Sequence, residues 1–177
     1  WTPCYDCGVC PEMGTEIQRR VQLALATTLN AHNPTGAAAN TGWIDALAAY
    51  GRILRSEYLA HRDGARTFSG TRLTDPEVLR AQEPWLRSWT ELGLPLRDAI
   101  DAAETVTAFV VGFVIEEQER AQSAASDPSR YAVGARDAAL GEGVPLVAST
   151  AHLRDGDDAR FERQLGRVLA GLASTAG

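Results

Sequence analysis

Residues 105–119, TVTAFVVGFVIEEQE, decide how this chain folds. From Thr105 to Ile115 the run is apolar or nearly so, then turns abruptly acidic at Glu116 and Glu117. A membrane-spanning helix needs about 20 apolar residues, and this run is far shorter. It therefore predicts the middle of a long helix buried in protein. Extended outward, the helix opens at Leu94-Pro95 and runs to about Gln122. At about 100° per residue its apolar positions fall on two sides. Ile100, Ala103, Thr107, Val111 and Val114 share one side, and Phe109, Gly112, Phe113 and Glu116 point to the other. A helix apolar on both sides must be covered twice, once by its own domain and once by something else.

The flanking sequence is helical in the same way. Ile17, Val21, Leu25 and Leu29 recur every four residues along a helix that ends near Asn33-Pro34 and keeps His32 on the apolar side. Pro34 to Gly42 is a loop by composition. A second helix, from about Trp43 to His61, aligns Trp43, Leu47, Tyr50, Leu54, Tyr58 and His61, and Arg62-Asp63-Gly64 ends it. After a short segment, Ala65 to Arg72, the pair Asp75-Pro76 reads as an N-cap and a first helical position. That third helix carries Val78, Gln82, Trp85, Leu86 and Trp89, and Pro84 is expected to kink it or shift its start. Tyr131 to Ala148 is weakly patterned, and from Asp157 a last helix presents Phe161, Leu165, Val168, Leu169 and Leu172 as one stripe. With no alternating strand and no internal repeat, the fold class is all-α.

Composition narrows the function. The chain has 177 residues, 45% hydrophobic and 23% charged, which suits one globular domain. Net charge is −6, every basic residue is arginine, and no basic stripe is concentrated enough for counterion release on DNA. No membrane span or secretory signal is read, so a cytoplasmic location is expected. The sequence contains no Gly-rich phosphate loop, H-E-x-x-H or G-x-S-x-G, and His32, His61 and His152 are far apart, so an enzyme is not expected. Cys4, Cys7 and Cys10 stand in C-x-x-C-x-x-C spacing. Their odd number excludes a closed disulfide framework. They are either zinc or iron–sulfur ligands short of a fourth partner, with Asp6 or Glu12 nearest, or part of an unassigned leader over residues 1–15.

Two stretches carry a resemblance. His61-Arg62-Asp63-Gly64-Ala65-Arg66, followed by Gly70-Thr71-Arg72, and Gly112-Phe113-Val114-Ile115-Glu116-Glu117-Gln118-Glu119 resemble signatures in the C-terminal domain of the tetracycline-repressor (TetR) family. The likeness extends from about Glu16 to Gln122 and more loosely to the last helix. It implies a ligand-binding and dimerisation domain over residues 16–177, pairing as a homodimer through a four-helix bundle. It also implies that operator DNA is met only through a helix-turn-helix module, expected upstream of Glu16 and not read in this sequence.

The same resemblance implies site residues. His32, Thr71 and Glu116 match the family's pattern. Tyr50 stands where the family has a drug-gripping asparagine, Leu54 where it has a phenylalanine, Phe68 at the magnesium-binding histidine, and Pro84 at or near a glutamine donor. Phenylalanine cannot ligate a metal and proline has no side-chain donor. No cofactor or metal is expected, and the effector predicted is a flat or polycyclic hydrophobic molecule. The ligand set is His32, Tyr50, Leu54, Phe68, Thr71, Trp85, Trp89, Ile100, Ala103 and Thr107; the dimer set is Phe109, Gly112, Phe113, Glu116, Leu165 and Leu169. His32, Trp85 and Trp89 read equally as core residues. The expected function is a repressor that releases DNA when its effector binds, or a sequestering protein of the same fold without DNA binding.

Overall fold

The computed structural model describes residues 11–31, 42–68, 74–129, 132–153 and 155–175. Among these, all regular structure is helical: α1 Pro11–Ala31, α2 Trp43–Leu59, α3 Gly64–Phe68, α4 Pro76–Glu91, α5 Leu96–Ser126, α6 Val133–Leu140, α7 Pro145–His152 and α8 Asp157–Thr175. The expected all-α class holds.

The fold is organised around α2 and α5, which pack along each other. On this pair, α1 lies across α2, α3 and α4, while α8 closes the other side against α2 and α5. One core results. Val21, Leu25 and Leu29 of α1 reach it, as do Leu47, Leu54 and Tyr58 of α2, Val106, Val110 and Val114 of α5, and Phe161, Leu165 and Leu169 of α8. Burying a large apolar side chain is worth about 1.5–3 kcal/mol, so the alignment of these stripes is the main favourable term in folding. The close docking of α8 depends on Gly51. A Cβ there would lie 3.2 Å from both Leu165 Cδ1 and Val106 Cγ1.

The long helix divides differently from its expected faces. Its buried positions are Ala99, Ala102, Ala103, Val106, Val110, Phe113 and Val114, one continuous stripe at alternating three- and four-residue steps. This stripe runs between the two sides read from the sequence. Phe113 is therefore taken into the chain's own core, whereas Ile100 is 37% exposed. Assigning each apolar residue to one of two opposite sides split the true stripe down its middle.

Helix α4 begins as expected. The Asp75 carboxylate accepts hydrogen bonds from the backbone N–H groups of Glu77 (2.8 Å) and Val78 (3.2 Å), and Pro76 takes a position whose N–H has no helical partner. These two N–H groups, with Arg19 3.4 Å away, hold the Asp75 carboxyl below the usual carboxylate range. Arg19 also bonds Glu77, fastening α1 to the start of α4. Pro84 neither ends nor delays α4, which runs through it to Glu91. Pro84 is exposed, so the carbonyl deprived of a partner one turn earlier faces water.

The weakly patterned region is a helical hairpin, α6 and α7. Neither helix contains a buried residue. Polar contacts hold the pair together: Arg136 donates to the carbonyl of Val147 and to Thr150 Oγ1 (3.1 Å), and His152 Nε2 lies 2.9 Å from Asp137 Oδ2. None of the helices among the described residues is long and apolar enough to cross a membrane.

Candidate functional site

Where α2, α4 and α5 meet, three aromatic rings cluster. Tyr50 lies edge-on to Trp89 with centroids 5.6 Å apart and 6.0 Å from Trp85, and the two indoles are 4.7 Å from each other. Helical spacing explains the indole pair, because residues four apart stack on one face of α4. The Tyr50 hydroxyl shares a 2.7 Å hydrogen bond with Thr107 Oγ1, which joins α2 to α5. Burial drives the Tyr50 phenol above its ordinary pKa, only partly offset by Thr107, so it stays neutral as a hydrogen-bonding group. Tyr58, about two turns further along α2, is raised by burial in the same way.

The structure thus brings together five residues of the expected ligand set: Tyr50, Trp85, Trp89 and Thr107, with Ala103 buried one turn before Thr107 on α5. Leu54 is wholly buried in the same core, and Ile100 stands apart at the surface. His32, Thr71, Cys4, Cys7 and Cys10 lie outside the described residues, as does the side chain of Phe68, although its backbone ends α3.

A second constellation lies where α5 passes the end of α2. The Gln118 amide donates to two carbonyls there, Tyr58 O (3.3 Å) and His61 O (2.9 Å). Gln122 Nε2 donates to Asp63 Oδ1 at 2.9 Å, and Arg66 pairs with Glu119. Asp63 has a positive φ of 55°, and Gly64 follows it. Any Cβ on Gly64 would fall 2.5 Å from the Tyr58 carbonyl oxygen. The two stretches singled out in the sequence, His61 to Arg66 and Gly112 to Glu119, are therefore halves of one contact. An open groove of about 560 Å³ beside it is lined by Arg62, Glu119, Gln122 and Ser126 among others.

The expected dimer set separates into two groups. Leu165 and Leu169 turn inward beside Phe161 of the same helix, and Phe109 and Phe113 pack on Phe161 with ring centroids 5.6 and 5.2 Å away. Arg55 covers this trio, 4.8 Å from the Phe161 ring, while pairing with Glu117 and Asp158, each at 2.7 Å. The Arg160 guanidinium also lies over Phe113, 4.6 Å from the ring centroid. Sequence reasoning missed this joint because its charges come from three helices and have no local spacing. Gly112 and Glu116 face outward: a Cβ on Gly112 meets no heavy atom of the described residues within 4 Å, and the Glu116 side chain is 76% exposed.

Residues 35–176 match the family model described as "Tetracyclin repressor-like, C-terminal domain". The chain belongs to that family. This TetR-like domain is 35% identical over 154 residues to the tetracycline repressor protein class A from transposon 1721 of Escherichia coli, covering 85% of this chain and 68% of that protein. It is 32% identical over 136 residues to the class D repressor of Escherichia coli, covering 77% of this chain and 58% of that one. Among solved structures, it resembles one described as a possible TetR family transcriptional regulator from Streptomyces coelicolor A3(2), with TM-score 0.68, 30% identity and coverage of 93% and 78%. It also resembles TetR (class A) in complex with 5a,6-anhydrotetracycline and magnesium, with TM-score 0.56, 28% identity and coverage of 88% and 75%. The all-helical TetR-like fold and the domain type agree with the sequence reading.

Proposed function

We propose that this domain is the effector-binding and dimerisation part of a TetR-type repressor, and that its effector is a hydrophobic or polycyclic molecule held without a metal ion. The observation that carries the reading is the Tyr50–Trp85–Trp89 cluster with its one internal polar link, Tyr50 to Thr107. Aromatic faces supply contact area to a flat ligand at low entropic cost, and a neutral phenol supplies direction. Phe68, at the end of α3, offers no metal-ligating atom where the family resemblance places one. Two copies would meet through the outward side of α5, where Gly112 and Glu116 lie, and operator DNA would be met through a helix-turn-helix module outside these 177 residues. Effector binding would favour one arrangement of that dimer, with α1 as the element leading from the pocket towards the DNA.

The test is a titration of tryptophan emission with 5a,6-anhydrotetracycline, once with magnesium and once with a chelator. Saturable quenching that survives the chelator supports the proposal. Tight binding that disappears with the chelator overturns the metal-free site, and an absence of saturable quenching under both conditions overturns the polycyclic effector.

A further inference from the structure

We infer that Gln118 is a positioning residue for the effector site, acting from α5 through the turn between α2 and α3; the inference rests on the effector-binding reading above. A helix leaves its last carbonyls without intrahelical partners, and they carry the negative end of its dipole. Here the ends of α2 and of the turn after it are tied by one side chain, because the Gln118 amide bridges Tyr58 O and His61 O. Each of these oxygens also accepts a backbone bond, from the N–H of His61 (3.3 Å) and of Gly64 (3.1 Å) respectively. Gln118 thus stitches both corners of the turn to α5. From this turn α3 departs, and the two helices that Gln118 joins, α2 and α5, are the ones that carry Tyr50 and Thr107 of the expected ligand set.

The geometry has little freedom to replace this anchor. Gly64 has no room for a side chain above Tyr58 O, and Asp63 is in the left-handed region, so the turn's own backbone is already committed. Gln122 and Glu119 add contacts to Asp63 and Arg66, but these tie side chains, whereas Gln118 ties the backbone. What position 118 must supply is donors. A lysine there would satisfy both carbonyls and complement the helix end; a glutamate of the same length as glutamine would face them with like charge.

That contrast makes the test. The full 177-residue chain is compared with Q118K and Q118E, using circular dichroism for folding, amide hydrogen exchange over Leu59 to Phe68, and tryptophan quenching by 5a,6-anhydrotetracycline. Exchange in that segment should rise about ten-fold in Q118E and stay within about two-fold of wild type in Q118K, and the apparent Kd should follow the same order. Should Q118E fail to fold, Q118L removes the donors without adding charge and carries the same expectation. Unchanged exchange in Q118E, or an equal rise in Q118E and Q118K, overturns the anchor. A rise in exchange with an unchanged Kd reduces Gln118 to a structural contact and overturns the positioning role. No quenching of the wild-type chain overturns the effector reading itself, while the exchange comparison still decides whether Gln118 holds the turn.

Discussion

Gly64 marks a place where a single missing methyl group decides the backbone. The chain ends α2, passes through Asp63 at positive φ, and restarts as α3 with Gly64 pressed on the Tyr58 carbonyl. The oxygen in the way is backbone, so it cannot swing aside as a flexible side chain would. Gly64→Ala should therefore destabilise the domain by about 2–3 kcal/mol, the cost of forcing atoms into a filled space. Urea unfolding followed by circular dichroism checks it; a loss under about 0.5 kcal/mol would mean that the turn relaxes freely. The sequence marked this spot as a helix breaker, since Arg62-Asp63-Gly64 interrupts the apolar stripe. Its partner on α5 was invisible, because Gln118 and His61 are 57 residues apart and no local spacing connects them. The Tyr50–Thr107 link escaped for the same reason, although both residues were expected in one site.

At the scale of the element, stripes legible in the sequence became packed faces wherever a helix had one. Val21, Leu25 and Leu29 in α1, and Phe161, Leu165 and Leu169 in α8, lie buried as their spacing predicts. The α5 stripe was harder to read, because an almost uniformly apolar run gives periodicity nothing to contrast with. Pro84 does not shift the start of α4, because an exposed carbonyl in mid-helix can turn to water in place of its lost partner. Helices α6 and α7 had no apolar period to find, since neither contains a buried residue. Their stability rests on surface polar contacts such as His152 with Asp137, and exposed pairs of this kind contribute about 0–1 kcal/mol. Backbone amides in α6 and α7 should then exchange at least about a hundred-fold faster than those around Val106 and Val110. Native-state hydrogen exchange measures this directly, and comparable protection in both regions would show that something else covers the hairpin.

For the whole molecule, the outward side of α5 is the feature that one copy leaves unused. Gly112 has open space around its Cα, and Glu116 is exposed beside it. If two copies meet there, Gly112→Leu should weaken the dimer at least about ten-fold without lowering the stability of the isolated fold. Light scattering over a dilution series reads the association. A wild-type monomer at micromolar concentration would rule the dimer out.

The joint at Arg55 bears on how the chain comes apart. Its guanidinium lies on Phe161 and pairs with carboxylates of both α5 and α8, so it is satisfied only when three helices are docked at once. Detaching α8 would uncover Phe161, Leu165 and Leu169 and remove Asp158 from Arg55 in the same movement. The last helix is consequently not a tail that frays or that a deletion shortens by degrees. Truncation from the C-terminal end should be tolerated only as far as Leu169, the last buried residue of α8, and beyond it should abolish cooperative folding instead of trimming it.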